Sequence, residues 1–202
     1  MLCLFDLIKN HKLRPDVTIL PSGTVGREYL RTEGHHHLSG LPEIYETVYG
    51  RNGYLLFKTV QKDSEDIEDI FFVLAEAGDH VLFPPGYQHI SINIGEGPFL
   101  MTDWVSTNAN SNFEYIKRHN GAPYWVVKSR GNLGIERNPR YEGKVPPISL
   151  VRPAEEVELS HGHKIKKGES MFNLVRYANI NALDFLNETT VHDFYSKAFV
   201  SL

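Results

Sequence analysis

The segment Gly78–Asn93 reads GDHVLFPPGYQHISIN and decides the fold of this chain. It contains a turn, a short apolar strand, a corner at Pro84–Gly86 and a second strand. The same texture continues upstream, where runs such as Ile44–Tyr49 and Tyr54–Gln61 are rich in β-branched and aromatic residues and are separated by Gly and Asn turns. Short strands at close spacing predict an antiparallel sandwich or a small barrel.

Composition narrows the class of protein. Of 202 residues, 41% are hydrophobic and 23% are charged, which is typical of a soluble globular protein. A net charge of -4 argues against a nucleic-acid binder, and no apolar run reaches the ~20 residues that span a bilayer. The single cysteine, Cys3, excludes an internal disulfide framework and a thiolate zinc cage. With no signal peptide recognised at the N-terminus, the expected location is cytoplasmic.

The chain is predicted to have two parts. Residues 1–145 are expected to form the barrel with a short N-terminal arm, and residues 146–202 a partly helical extension packed on it. Within these parts, residues 131–150 are rich in Gly, Pro and Arg and predict a long loop. Apolar residues near one face of 182–198 predict a helix, which the run of β-branched residues at 189–191 weakens.

Ten histidines are present, and three of them are consecutive at positions 35–37. In a strand, His35 and His37 point to the same face. Glu43 can return to that face after the bend at Gly40–Pro42, and His89 follows the corner in the second segment. Imidazole and carboxylate ligands on one rigid wall suit a divalent first-row metal with open coordination positions.

These residues and their spacing resemble the two sequence motifs of the cupin superfamily. The second cupin motif matches without a gap at Gly78, Pro84, Gly86, His89 and Asn93, and the first matches at His35, His37, Glu43 and Gly50. Two departures appear. Tyr29 stands where the first motif begins with Gly, and five residues separate His37 from Glu43 where three or four are usual. The resemblance implies an all-β jelly-roll barrel, also called a double-stranded β-helix.

The departures are similar to those of the archaeal and bacterial cupin-type glucose-6-phosphate isomerases, which share the longer gap. The upstream family run matches at Gly26, Glu28, Thr32, Gly34, His35 and His37, and the family's E-x-Y matches at Glu43 and Tyr45. The downstream run matches at Pro84, Pro85, His89, Asn93, Gly95, Pro98 and Phe99. The resemblance covers about residues 15–141.

This resemblance implies a function residue by residue. One divalent ion per subunit (iron, manganese, nickel or zinc) is expected on His35, His37, Glu43 and His89. The implied reaction interconverts glucose 6-phosphate and fructose 6-phosphate, in glycolysis and gluconeogenesis, and the implied assembly is a homodimer. Glu43 and Tyr45 are implied as catalytic residues, and Thr18, Thr32, Gly34 and Tyr45 as substrate-binding residues.

Two questions stay open at this level. A carboxylate bound to a cation has a low pKa and is a poor base, so a hydride shift competes with proton transfer by Glu43. The family's G-H-D-Y segment reads Asn110–Phe113 here, so that Ser111 replaces its His and Phe113 its Tyr. The alternatives are an isomerase or epimerase of another sugar phosphate, a non-haem iron dioxygenase, and a sugar-binding cupin without catalysis.

The other histidines have ordinary interpretations. His36 is expected to face away from its two neighbours. His80 and His119 are predicted to lie in a turn and on a helix surface. His161 and His163 repeat the H-x-H pattern, but the adjacent glycine and lysines indicate a solvated turn.

Overall fold

The computed structural model describes residues 4–177 and 179–202, and side-chain burial from residue 7 onward. Its strands are β1 Leu13–Leu20, β2 Thr24–Val25, β3 Glu28–Tyr29, β4 His36–His37, β5 Glu43–Tyr49, β6 Arg51–Thr59, β7 Ile67–Glu76, β8 His80–Phe83, β9 Gln88–Asn93, β10 Phe99–Ser106, β11 Ser111–Asn112, β12 Tyr124–Ser129, β13 Asn132–Arg137, β14 Ser149–Pro153, β15 Glu156–Glu158, β16 Lys164–Lys166 and β17 Phe199–Ser201. The α-helices are α1 Leu4–Asn10, α2 Glu114–Arg118, α3 Phe172–Arg176 and α4 Phe194–Lys197, and 3-10 helices span Ser160–Gly162 and Ile180–Asn187.

Two sheets form the barrel. One has the order β1-β10-β5-β8 and the other the order β17-β14-β7-β6-β9, with β14 parallel to β7 and the other pairs antiparallel. The inward side chains of both sheets share one core, in which Tyr45 and Phe83 meet Tyr54 and Leu56. The predicted all-β cupin barrel is therefore confirmed. None of the described helices is long and apolar enough to cross a bilayer.

Strand register decides which residues face the barrel interior. On β5, Glu43 and Tyr45 point inward, while Ile44 between them points outward, because successive side chains alternate. Directly paired residues of neighbouring strands share a face. Glu43 pairs with Val105 of β10, and Tyr45 pairs with Asp103. The interior therefore receives two carboxyl groups from neighbouring strands.

The C-terminal part covers the outer face of the β1-β10-β5-β8 sheet. Trp104 and Ile44, both fully buried, join one apolar cluster with Leu183 and Phe185 of the second 3-10 helix. The boundary predicted between residues 145 and 146 stays a prediction. Just beyond it, β14 adds a strand to the barrel sheet before the chain crosses to the other face.

Two local predictions differ from the structure. Residues 131–150 contain β13, which pairs with β12 in a hairpin from Tyr124 to Arg137, so the predicted loop begins later. The predicted helix 182–198 is two short helices, Ile180–Asn187 and Phe194–Lys197, separated by extended and turn residues. The β-branched residues 189–191 fall in this break, since such side chains disfavour a helix.

One polar contact ties the extension to the barrel, and its loss should be measurable. The Glu46 carboxylate accepts a hydrogen bond from the Met171 backbone N–H at 2.9 Å, in a half-buried position. Glu46→Ala leaves this N–H without its charged partner. We expect the free energy of unfolding, measured in urea, to fall by about 1–3 kcal/mol. Glu158→Ala is the control, because Glu158 makes only an exposed contact of 3.9 Å with Lys197. Equal losses in the two variants would contradict the assigned contact.

Candidate metal centre and substrate site

His35 is brought to the site by backbone pairing with β9. Its N–H donates to the His89 carbonyl at 3.1 Å, and the His89 N–H donates to the His35 carbonyl at 2.9 Å. Gly34 makes this approach possible. Its φ is +82°, and a Cβ at this position would lie 2.3 Å from Cγ1 of Ile90. The glycine before the His pair is thus required for close packing; its role as a substrate contact stays a prediction.

His37 is oriented by a hydrogen bond on its far side. Its Nδ1–H donates to the Leu41 carbonyl at 2.8 Å, which leaves Nε2 with a free lone pair. Nε2 lies 3.6 Å from Oε2 of Glu43. A metal-binding histidine is commonly held in this way, with its second nitrogen on a backbone carbonyl.

Three of the four predicted ligands form a compact set. One ligand atom each from His35, Glu43 and His89 lies within 4.8 Å of the others. Within this set, Nε2 of His89 lies 3.2 Å from Oε2 of Glu43, the same oxygen that lies 3.6 Å from Nε2 of His37. The structure therefore brings all four residues to one place in the barrel, and their role as metal ligands stays a prediction.

The electrostatics of the set fit a cation. Oε2 of Glu43 and Nε2 of His89 are buried and make no hydrogen bond with any described residue. Burial, reinforced by the neighbouring imidazoles, lowers the pKa of His35 to about 2, and burial also lowers the pKa of His89 far below its usual range. Both rings are therefore neutral and offer lone pairs. A divalent ion would supply the missing partner for this buried oxygen and nitrogen, a role that would otherwise need a buried Lys or Arg side chain.

Asp103 is a functional candidate that sequence reasoning missed. Burial, and next the neighbouring Glu43 carboxylate, raise the pKa of Asp103 to about 10. Burial likewise raises the pKa of Glu43 to about 7, although its hydrogen bonds with Asp103 and Tyr45 act in the opposite direction. The two carboxyl groups lie on neighbouring strands and both face the barrel interior. The available signal was one acid within an otherwise largely apolar strand, FLMTDWVS.

Tyr45 lies beside these carboxyl groups. Its ring packs on Phe83 with centroids 4.3 Å apart and lies 5.9 Å from the ring of His89. Burial, and next the charge of Glu43, raise the pKa of Tyr45 far above its usual value, so its hydroxyl stays protonated. It can donate a hydrogen bond to Glu43. The position suits a catalytic or binding role, which stays a prediction.

The predicted substrate contacts do not line one cavity. Thr32 lines a groove of about 410 Å³ with Arg31 and Lys117, but its Oγ1 already accepts a hydrogen bond from the Ser91 N–H at 3.1 Å. Thr18 lies on β1 opposite Met101 of β10 and is half-buried. Thr18 and Tyr45 are not part of that groove. Their assignment to substrate binding stays a prediction.

Residues 110–113, where the sequence differs from the family's G-H-D-Y motif, lie at the site. Ser111 pairs with His37 across β11 and β4, and the ring of Phe113 lies 5.3 Å from the ring of His35. A short hydroxyl group and an apolar ring thus lie at the positions where the motif has an imidazole and a phenol. His36 is half-buried and lines a cavity with His37, Lys58 and Gln88, but it points to the opposite side of the strand from His37.

Two histidines are not where the sequence placed them. His80 is 1% exposed and His119 is 3% exposed, so the prediction of surface positions is wrong for both. His119 stacks on Tyr141 with centroids 4.2 Å apart and binds Glu65 at 2.8 Å, which gives it a structural role. His161, in contrast, is exposed and contacts Asp184 at 2.9 Å.

Comparisons with known proteins agree with the geometry. The family model described as glucose-6-phosphate isomerase (GPI) matches residues 5–142. A glucose-6-phosphate isomerase from Thermococcus onnurineus is 29% identical over 66% of this chain and 67% of its own, and one from Pyrococcus furiosus is 29% identical over 62% of each. A putative glucose-6-phosphate isomerase 1 from Rhizobium meliloti is 31% identical over 62% of this chain and 56% of its own. The matches thus span about two thirds or less of these relatives.

Solved structures show weaker likeness. An oxalate decarboxylase from Lactobacillus farciminis has a TM-score of 0.38 and 17% identity, over 50% of this chain and 25% of that one. An oxalate oxidase has a TM-score of 0.37 and 20% identity, over 50% of this chain and 46% of that one.

Proposed function

Because the chain belongs to the glucose-6-phosphate isomerase family, we propose that it is a metal-dependent aldose–ketose isomerase that interconverts glucose 6-phosphate and fructose 6-phosphate. The convergence of His35, Glu43 and His89 within 4.8 Å carries this proposal. This convergence of neutral imidazoles with a carboxylate supports the proposal, because the resemblance to the family implies an ion on these residues.

One divalent ion would be held by His35, His37, Glu43 and His89. Iron, manganese, nickel and zinc all suit nitrogen and oxygen donors. When bound, such an ion draws electron density from the two substrate oxygens on C1 and C2. On a five- or six-coordinate ion, four residues would leave one or two positions for those oxygens, whereas a four-coordinate ion would have none left.

The side chains around the ion would supply the proton chemistry. Isomerisation moves one hydrogen between C1 and C2, and proton transfer requires a base beside those carbons. Glu43 is the first candidate, with Tyr45 donating a hydrogen bond to it and Asp103 as its neighbouring carboxyl group. In D2O, transfer through a side chain exchanges the moving hydrogen with solvent, whereas a hydride shift retains it. Product deuteration, read by NMR, separates the two mechanisms.

A second candidate function is favoured by Phe113. Its ring lies 5.3 Å from the ring of His35, so an apolar surface replaces a hydrogen-bonding group at the site. This arrangement favours an isomerase or epimerase of another sugar phosphate, since a missing hydrogen bond changes which hydroxyl pattern is accepted. A panel of aldose and ketose phosphates, compared by kcat/KM, distinguishes the two candidates.

The decisive experiment is anaerobic turnover of fructose 6-phosphate by the metal-loaded chain. We expect glucose 6-phosphate to form, activity to fall to background after chelation, and added Fe²⁺ or Mn²⁺ to restore it. Persistent activity after complete metal removal would contradict the metal dependence. Oxygen uptake with a small organic acid would favour a dioxygenase, and sugar-phosphate binding without turnover would favour a sensor.

A homodimer is part of the proposal. An apolar row crosses three strands at the end of the outer face that the C-terminal part leaves uncovered: Ile19 of β1 is 69% exposed, Leu100 of β10 is half-buried and Tyr49 of β5 is 59% exposed. Such a row is typical of a protein–protein contact. Light scattering of the purified chain should give twice its mass of 23.0 kDa, and a monomer at micromolar concentration would contradict the proposal.

A further inference from the structure

We propose that Arg14, held by Asp16, binds the substrate's phosphate group at the mouth of the metal site. The inference rests on the proposed sugar-phosphate substrate and names the residue that would recognise its anionic end. Arg14 lies on β1, outside the motifs that suggested the family, and none of the predicted site residues is an arginine or a lysine.

Strand register places Arg14 in the same row as a metal-ligand candidate. Arg14 pairs with Val105 of β10, and Val105 pairs with Glu43 of β5. Three residues in such a row share one face of the sheet, and two strand spacings separate the outer Cα atoms by about 10 Å. An open-chain sugar with C1 and C2 at the ligands and its phosphate on C6 matches that span.

Neighbouring residues confirm which way Arg14 faces. Leu13 is buried in the outer cluster with Trp104, and successive side chains alternate, so Arg14 and Asp16 face the barrel side. The side chain of Arg14 is 47% exposed. It therefore lies at the edge of the barrel, where a ligand from solvent can reach it.

The guanidinium group is held at one end and free at the other. Its Nε donates to Oδ2 of Asp16 at 2.8 Å. Its two terminal nitrogens make no hydrogen bond with any residue that the structure describes. A guanidinium fixed through Nε presents its terminal N–H groups as a planar fork, the geometry that binds two phosphate oxygens.

The charge of Arg14 already reaches the site. It lowers the pKa of His35 and of His37, and it opposes the burial that raises the pKa of Glu43 and of Asp103. Asp16, and Glu43 when it is ionised, would repel a phosphate. A bound divalent ion on Glu43 would offset that repulsion, and Arg14 would supply the local positive charge at the phosphate itself.

Equilibrium binding to the metal-loaded protein tests the proposal. Inorganic phosphate, fructose 6-phosphate and fructose are titrated by calorimetry into wild type, Arg14→Ala, Arg14→Lys and Arg27→Ala. Arg27 is the matched control, because it is an exposed arginine paired with Glu136 far along the chain. Arg14→Ala should weaken the binding of inorganic phosphate and of fructose 6-phosphate at least about 10-fold and leave the affinity for fructose unchanged. Arg14→Lys should recover part of the loss, since lysine keeps the positive charge but lacks the planar fork. Arg27→Ala and the metal content should match wild type.

The outcomes separate this inference from the proposed function. Equal phosphate affinities in wild type and Arg14→Ala would overturn the role of Arg14, whatever the turnover. Binding that depends on Arg14 without turnover of fructose 6-phosphate would overturn the isomerase proposal alone. Turnover with an unchanged KM in Arg14→Ala would overturn only the role of Arg14. Absence of any phosphate binding by wild type would overturn both the role of Arg14 and the isomerase proposal.

Discussion

Replacement of His89 by alanine should abolish stoichiometric metal binding. His89 is 3% exposed, and its Nε2 lies 3.2 Å from Oε2 of Glu43, at the centre of the compact ligand set. Alanine removes one ligand and leaves the Glu43 carboxylate without its nearest partner. Losing a single supporting hydrogen bond outside a ligand set already costs about 10–100-fold in affinity, so losing a ligand should cost more than about 100-fold.

Metal content after dialysis against a weak chelator measures the effect. Wild type should keep one ion per chain, and His89→Ala should keep none. His36→Ala is the matched control, since His36 lies between two ligand candidates in sequence but points to the opposite side of the strand and is not part of the compact set. Because His89 is buried, His35→Ala at a half-buried position serves as a second variant if His89→Ala unfolds. Stoichiometric metal in a folded His89→Ala protein would rule out the site.

The sequence was sufficient for the local part of this site. His35 and His37 alternate in an extended segment, and the corner at Pro84–Gly86 precedes the strand that carries His89. These relations depend on strand periodicity and turn chemistry, which are encoded within a few residues. The barrel class followed for the same reason, since each short strand and each turn is marked locally.

What the sequence left out depends on distant packing. Asp103 comes next to Glu43 only through the register of β10 on β5, a pairing across about sixty residues. His80 is buried beside Glu46 and the extension that covers that sheet, and His119 is buried by Tyr141. The sequence periodicity of these covering segments does not predict where they pack on the barrel. The β12–β13 hairpin was missed because Gly131 and its neighbours indicate a loop as readily as a turn.

The second large effect concerns the carboxyl pair in metal-free protein. Burial raises the pKa of Asp103 to about 10 and that of Glu43 to about 7, both above the ordinary values for these groups. Between those ordinary values and the raised ones, the two carboxyl groups hold more protons in the folded protein than in the unfolded chain. Their contribution to the free energy of unfolding therefore falls as pH rises, by up to about 1.4 kcal/mol per pH unit for each proton held.

Urea unfolding in the presence of chelator should show this slope between about pH 7 and pH 9. Below that range the buried histidines, whose lowered pKa values keep them neutral in the folded protein, act in the opposite direction. Bound metal should flatten the slope, because a divalent cation stabilises the ionised carboxylates. Maximal stability of the metal-free protein is therefore expected at about pH 7. A pH-independent midpoint in wild type would contradict the shared burial of the two groups.

Asp103→Asn isolates the responsible residue. The amide keeps the shape of the carboxyl group and can donate a hydrogen bond to Glu43 without a titrating proton. At pH 8, the metal-free variant should be more stable than metal-free wild type by at least about 2 kcal/mol, with a shallower pH slope. Asp16→Asn is the control, because the Asp16 side chain is 43% exposed and raises the pKa of Glu43 and Asp103 less than their own burial does, so most of the wild-type slope should persist there. If the two variants behave alike, the buried contact between Asp103 and Glu43 is not what makes the metal-free protein sensitive to pH.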